Sequence, residues 1–246
     1  MLVINLSPYT IEERVQTFYW WFVVRRKLIQ IVISSLNIPR ESLTVDIGCG
    51  VGSNLSLLKA IGLRVIGCDR SLDNLLLAKT KFFLPFVNGN LEDLPIRSSS
   101  VELVIATDVL EHLADDIAGV RELYRILCHN GRLIVTVPAF QSLRGIQDIV
   151  TGHYRRYRRK EIVEKLSLAG FDIQKSSYFN FFLFFPILMG RRLIRLFGLK
   201  IESENKINFP LLNSLLKAIF SLEPPILKYV SFPFGVSILC IARKKG

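Results

Sequence analysis

Val45-Asp46-Ile47-Gly48-Cys49-Gly50-Val51-Gly52 runs from a short apolar segment into three closely spaced glycines, and its reading decides the fold. Glycines at the carboxyl edge of a sheet let a ligand approach the backbone closely. Such a loop needs a strand before it and a helix after it, and the sequence predicts a strand over 43–47 and a helix over 54–61. A strand over 63–68, a helix over 72–81 and a short strand over 85–87 follow. A strand over 101–106, a helix over 117–128, an Asn130-Gly131 turn and a strand over 132–137 continue the alternation. Strands alternating with helices of this length predict a parallel sheet covered on both faces.

Asp69 closes the second strand about 20 residues after the loop, where an acid can accept both hydroxyls of a ribose. These two features fit a dinucleotide as well as S-adenosylmethionine. The glycines run Gly48-x-Gly50-x-Gly52, however, and lack the third glycine of the G-x-G-x-x-G pattern. Asp46 stands two residues before the first glycine. A carboxylate at the mouth of the site would repel a pyrophosphate and attract a sulfonium and an ammonium. The methyl donor is the better reading, with an NAD-linked oxidoreductase as the alternative enzyme.

Val45 to Gly50 resembles the first motif of the class I S-adenosylmethionine-dependent methyltransferases, especially the type 11 group that includes the ubiquinone and menaquinone biosynthetic enzymes. Further stretches match that family in the same order. Gly89-Asn90-Leu91-Glu92-Asp93-Leu94-Pro95 is similar to its adenine-recognising segment, with Asn90 where an aspartate is usual; an amide oxygen still accepts from an amino group. Thr107-Asp108-Val109-Leu110-Glu111-His112-Leu113 looks like the motif after strand four. Arg121 to Leu127, with Asn130-Gly131-Arg132-Leu133, resembles the helix and turn before strand five. The resemblance implies a Rossmann-like seven-stranded, mostly parallel sheet whose last strand, here 236–242, is antiparallel. It implies S-adenosyl-L-methionine as cofactor, with Asp46, Gly48, Cys49 and Gly50 at the methionyl part and Asp69 at the ribose. Arg70, Asn90, Leu91, Thr107 and Asp108 complete the expected cofactor set. Trp20 to Arg26, Gly152 to Tyr157 and Ser231 to Gly235 are similar to a bacterial subgroup of largely unassigned substrate.

Methyl transfer from a sulfonium is a direct displacement, so alignment and desolvation are the main requirements. An oxygen acceptor must also lose its proton, and histidine is a natural base near neutral pH. Of the three histidines, His129 precedes a turn and is expected at the surface. His112 follows strand four and His153 lies in a basic, aromatic loop after strand five; these two are the catalytic candidates. Arg25 on the first helix could pair with a cofactor carboxylate or an acidic acceptor, and Tyr154 is expected at the substrate. Asp108, Glu111 and His112 have the i, i+3, i+4 spacing that puts side chains on one helical face. They resemble an acidic-histidine motif that holds a divalent ion in some ubiquinone O-methyltransferases and small-RNA methyltransferases. Most relatives with Glu-His at this place use no metal, as the resemblance implies, and none is expected here.

The division expected from the sequence is an N-terminal helical cap over 1–41, a methyltransferase core over 42–177, an apolar and basic helical insertion over 178–230 and a final core strand over 231–246. The cap is read as one amphipathic helix over 11–36. Residues 1–9 lack the charged and apolar pattern of a secretory signal, and the four scattered cysteines contain no CxxC pair, which predicts buried free thiols in a reducing, cytoplasmic setting. The net charge of +11 invites an anionic partner. Nucleic acid is the poorer choice, since no zinc-ligand set, RNA-binding signature or long basic stripe is present. Residues 178–189 are too few for a membrane span. Arg191, Arg192 and Arg195 then alternate with large aliphatics, which suits a lid or a helix lying on the inner membrane face. The expected reaction is O-methylation of a small or lipid-linked acceptor, with N- or C-methylation and a non-catalytic membrane-associated module as alternatives.

Overall fold

The protein is described here from a computed structural model covering residues 16–198 and 209–245. Residues 11–15 of the expected first helix, the stretch 1–9 and part of the expected insertion (199–208) lie outside the described residues. Leu43–Ile47 (β1) sits at the centre of a seven-stranded sheet in the order β3-β2-β1-β4-β5-β7-β6. Its neighbours are Arg64–Asp69 (β2) and Val101–Thr107 (β4), both parallel to it. Phe86–Asn88 (β3) and Leu127–Pro138 (β5) extend the parallel part on either side. Ser237–Lys244 (β7) inserts antiparallel between β5 and Phe171–Phe179 (β6), the antiparallel last strand that the sequence predicts. β1 and β4 are buried along almost their whole length, the mark of a sheet covered on both faces.

The covering helices carry their own start and stop signals. Leu72–Lys81 (α3) is capped by Ser71, whose hydroxyl accepts from the Asn74 N–H at 3.3 Å. Asp116–Ile126 (α4) is capped by Asp115, which accepts from the N–H groups of Ile117 and Ala118, both at 3.0 Å. Side-chain acceptors satisfy donors that the first turn leaves free. Leu55–Ala60 (α2) follows the glycine loop. Trp20–Ser35 (α1) buries Val24, Leu28, Ile29, Val32 and Ile33 along one stripe, the 3.6-residue period of a core-facing helix.

The chain between α4 and β5 differs from the expected turn. β5 begins at Leu127, and pairing jumps from Val101↔Leu127 to Leu103↔Arg132. Asn130 takes a left-handed φ of 62° inside this bulge. Gly131 has no room for a side chain, because a Cβ would lie 2.9 Å from the Cys128 carbonyl oxygen. The turn residues are thus spent on a bulge within the strand.

Beyond β5 come Ile146–Val150 (α5) and Arg159–Leu168 (α6). After β6 the chain forms Phe184–Leu196 (α7), Pro210–Ser221 (α8) and Glu223–Leu227 (α9). Pro186 falls in the first turn of α7, where its missing N–H breaks no helical bond. α1 and α8 are locked together. Trp21 stacks on Phe220 with centroids 5.5 Å apart, and on Phe179 of β6 at 5.6 Å. The Asn213 side chain of α8 accepts from the Trp20 N–H at 2.8 Å, capping α1 from another helix. Cys49, Cys68 and Cys240 are buried and free; Cys128 is half-buried.

Candidate active site

The order of strands reverses at β1 and β4, and ligands of open α/β sheets sit at the carboxyl ends of the strands at such a point. A cavity of about 990 Å³ opens there, at the top of the range for small-molecule sites and roomy enough for a donor and an acceptor together. Gly48, Cys49 and Gly50 line it. Gly48 is left-handed (φ 69°) and a Cβ there would press into Val109 at 2.5 Å, so only glycine makes this bend without displacing the loop after β4.

Asp69 fixes the loop to β2. One carboxylate oxygen accepts the Gly50 N–H at 2.8 Å and the other the Ser71 N–H at 2.8 Å. Each oxygen keeps a further lone pair for a ribose hydroxyl. Arg70 beside it is exposed at the cavity rim. Asn90 also lines the cavity. Its amide nitrogen donates to Glu92 at 2.9 Å, which turns the carbonyl oxygen into the free acceptor that an adenine amino group requires. Leu91 is buried next to it.

Asp46 is not at the mouth of the site. It is fully buried beneath the loop and does not line the cavity. Its alternation within a strand covered on both faces sends the side chain under the glycines. Asn54 donates to one oxygen at 3.2 Å and lies 3.3 Å from the Thr107 hydroxyl, while the second Asp46 oxygen has no partner. Burial pushes the Asp46 carboxyl up to about 7, against the pull of Asn54 and Arg25. Cys49 is likewise pushed up by burial and by Asp46, so it is an inert thiol rather than a nucleophile.

Asp108 and Arg25 both line the cavity, but they are bound to one another. The Arg25 guanidinium ion-pairs with Asp108, whose other oxygen accepts the Thr136 hydroxyl at 3.0 Å. Arg25 therefore has less to offer a cofactor carboxylate than the sequence suggests. The expected helical face of Asp108, Glu111 and His112 does not form either. Asp108 has a left-handed φ of 55° and only Leu110–His112 make a 3₁₀ turn, so Asp108 points to α1 instead. Tyr154 is 61% exposed and outside the cavity. Its N–H holds the Glu111 carbonyl at 2.8 Å, so its contribution is through the backbone.

His112 and His153, 41 residues apart in the chain, meet at the cavity wall with ring centroids 4.7 Å apart. His153 Nδ1 lies 2.9 Å from an Asp148 oxygen, and Nε2 lies 4.0 Å from Glu111. Burial, then His153, pushes His112 down to about 4, so it is neutral at pH 7. Burial also raises Glu111, as does Asp108. Asp148 is held below the usual carboxylate range: His153 and Arg156 outweigh its burial. His129 is exposed as expected.

Three lining residues escaped the sequence reading. Asp148 and Arg156 form a buried pair behind His153, at 2.8 and 3.0 Å; their five- and three-residue spacing from His153 was the available signal. Asn180 at the end of β6 is fully buried, with both side-chain polar atoms unpartnered. Nothing in its apolar surroundings announces it.

The seven-stranded order β3-β2-β1-β4-β5-β7-β6 with β7 antiparallel is the class I S-adenosylmethionine-dependent methyltransferase fold. Residues 45–135 match the family model described as a methyltransferase domain. A Mycolicibacterium smegmatis protein named a probable S-adenosylmethionine-dependent methyltransferase is 32% identical over 135 residues, 53% of this chain and 52% of that one. A Xenopus tropicalis tRNA (carboxymethyluridine(34)-5-O)-methyltransferase is 33% identical over 109 residues, 43% of this chain and 17% of that one. The chain thus spans about half the length, or less, of these curated relatives. Among solved structures, a chain from the complex with the Haloferax volcanii Trm112 methyltransferase activator has a TM-score of 0.64 at 16% identity, over 96% of this chain and 95% of that one. The Haemonchus contortus phosphoethanolamine N-methyltransferase 2, solved with S-adenosylhomocysteine, has a TM-score of 0.58 at 18% identity, over 89% of this chain and 52% of that one. At these identities the likeness shows the fold.

Proposed function

We propose that this chain transfers a methyl group from S-adenosylmethionine to an oxygen of a small or lipid-linked acceptor. The observation that carries the reading is the shared cavity: the glycine bend and Asp69 stand on one wall, and His112, His153 and Glu111 on another. Asp69 takes the ribose, Asn90 the adenine amino group, and the Gly48–Gly50 backbone the methionyl part. Asp69 on the cavity wall, with Asp46 buried beneath the loop, gives this edge an acidic character that suits a sulfonium and an ammonium. The displacement needs no protonation of the leaving thioether, so the walls act by alignment and water exclusion. Activation of the acceptor oxygen falls to the cluster of His112 and His153. The frog relative is named for an oxygen acceptor, which supports that choice.

The lipid part of the reading rests on α7. Ile187, Arg191 and Ile194 of this helix line the cavity, while Phe185, Met189, Leu193 and Leu196 are exposed on its outer side with Arg192 among them. Apolar residues facing water beside cations suit an anionic membrane surface. No helix among the described residues is long and apolar enough to cross a membrane. In this reading the described parts of 178–230 act as a lid that admits an acceptor from the interface. Calorimetry with S-adenosylhomocysteine and with NAD tests the donor, and a labelled donor incubated with a lipid extract and a polar extract tests the acceptor. NAD binding, or label confined to the polar extract, would sink the corresponding part.

A further inference from the structure

We infer that Glu111, His112 and His153 form a binding site for a divalent transition ion on the acceptor side of the cavity. One donor atom from each lies within 4.8 Å of the others. The set is assembled by the fold rather than by local spacing: the 3₁₀ turn after β4 supplies two ligands and the loop after α5 the third. Asp108, the fourth group nearby, is withdrawn from the set by Arg25 and Thr136.

The carboxylate is the decisive member. Glu111 is wholly buried and neither oxygen has a hydrogen-bond partner. A buried carboxylate without a partner is costly to keep. The cations around it do not satisfy it. Arg156 bonds to Asp148, Arg25 to Asp108, and Arg191 donates to the Leu143 carbonyl. Among the described residues no lysine or arginine lies within ion-pair distance of Glu111, and His153 Nε2, at 4.0 Å, is the ring nitrogen that faces it.

The two imidazoles are also presented as ligands. His153 Nδ1 is taken by Asp148 at 2.9 Å, which leaves Nε2 facing Glu111. That carboxylate–histidine arrangement fixes the tautomer and ring direction of metal-bound histidines. Asp148 is itself anchored by Arg156 and by the Gly145 N–H at 2.7 Å. His112 Nδ1 is buried without a partner. Two neutral nitrogens and one carboxylate leave coordination positions open, as in catalytic rather than structural sites. Imidazole donors favour zinc, cobalt, nickel or iron(II) over magnesium. Ligand bonds of about 2.0–2.2 Å require the three donors to draw together slightly.

What the ion would do rests on the function proposed above: it would hold the acceptor oxygen and lower its pKa. Its binding does not depend on that reading and is measured without donor or acceptor. Chelator-treated full chain is titrated with Co²⁺ and Zn²⁺, following visible Co²⁺ absorption and the heat of binding, with S-adenosylhomocysteine affinity measured separately. About one Co²⁺ per chain is expected, with d–d bands that Zn²⁺ abolishes. Glu111→Gln and His153→Gln should each weaken Co²⁺ binding by at least about tenfold while S-adenosylhomocysteine still binds. Asp148→Asn provides a second route, because it leaves all three ligands and should weaken binding by roughly 10–100-fold. No Co²⁺ absorption in the wild-type chain, binding that survives the ligand substitutions in chains that still take S-adenosylhomocysteine, or binding of Mg²⁺ alone would overturn the assignment. Failure of S-adenosylhomocysteine to bind the wild-type chain would instead overturn the proposed function.

Discussion

Arg25, near the start of α1, ion-pairs with Asp108 at the carboxyl end of β4 and so ties the N-terminal helix to the floor of the cavity. The arginine side chain is 6% exposed and the aspartate 22%. Removing one partner strands the other in a partly dry place. Arg25→Ala should therefore destabilise the fold by about 2–3 kcal/mol, below the scale of a fully buried pair because Asp108 keeps some water. Arg25→Met combined with Asp108→Asn should recover a good part of that loss. Thermal unfolding of Arg25→Met, of Asp108→Asn and of the double variant checks this, and additive losses would show that the pair is not coupled.

Asp69 accepts from two backbone N–H groups and is the ribose acceptor in the proposed reading. Asp69→Ala should weaken binding of S-adenosylhomocysteine by about 1–3 kcal/mol, the scale of stranded polar partners. It should also loosen Gly50, so part of the loss will be in positioning. Calorimetric titration reads the affinity directly; an unchanged value removes Asp69 from the site.

The central sheet was readable because β1, β4 and the first part of β2 are short apolar runs set between caps such as Ser71 and Asp115, which act on neighbours within three residues. Asp69 was readable from its place at the end of β2, about 20 residues after the glycine loop; of its partners Ser71 is local, whereas Gly50 lies 19 residues earlier in the loop after β1. Other parts of the site depend on where strands aim their side chains. Asp46 has the sequence context of a mouth residue, yet the two-residue period of β1 puts it under the loop. The meeting of His112 with His153 requires α5 to fold back onto the turn after β4, and no local pattern encodes that. Asp108 left the helical face suggested by its spacing because Arg25, 83 residues earlier, holds it elsewhere.

The carboxyl of Asp46, raised to about 7 by burial, should make cofactor affinity depend on pH. A group whose folded pKa lies above its unfolded value of about 3.9 stays protonated in the fold while the unfolded chain ionises. The stability associated with the protonated form is therefore complete below about pH 4 and is lost as pH rises toward 7. The ionised form is the one that attracts a sulfonium and an ammonium. S-adenosylmethionine should thus bind more tightly as pH rises from 6 to 8, by at most about tenfold per unit below the pKa. Asp46→Asn should flatten this dependence and lessen the fall in stability between pH 4 and 7. Binding isotherms and melting curves at several pH values check both; parallel profiles for variant and wild type would free Asp46 from the role.

The outer side of α7 exposes Phe185, Met189, Leu193 and Leu196, the last 77% exposed, beside Arg192. A surface of this kind binds lipid by two additive terms, apolar burial and attraction to anionic headgroups. The two can be separated by substitution, since neither Leu193 nor Arg192 is buried and neither lines the cavity. Arg192→Glu should weaken flotation on phosphatidylserine or phosphatidylglycerol vesicles at low salt by roughly tenfold or more, since each basic residue near such a surface contributes about 1 kcal/mol and the substitution reverses the charge. Leu193→Ser should weaken it at low and high salt alike, because apolar burial is not screened. Both variants should melt within about 0.5 kcal/mol of wild type, as surface substitutions do. Wild-type chain that stays unbound at low salt, or variants that float as well as it does, would leave the exposed face of α7 without a membrane role and return it to the surface of a lid.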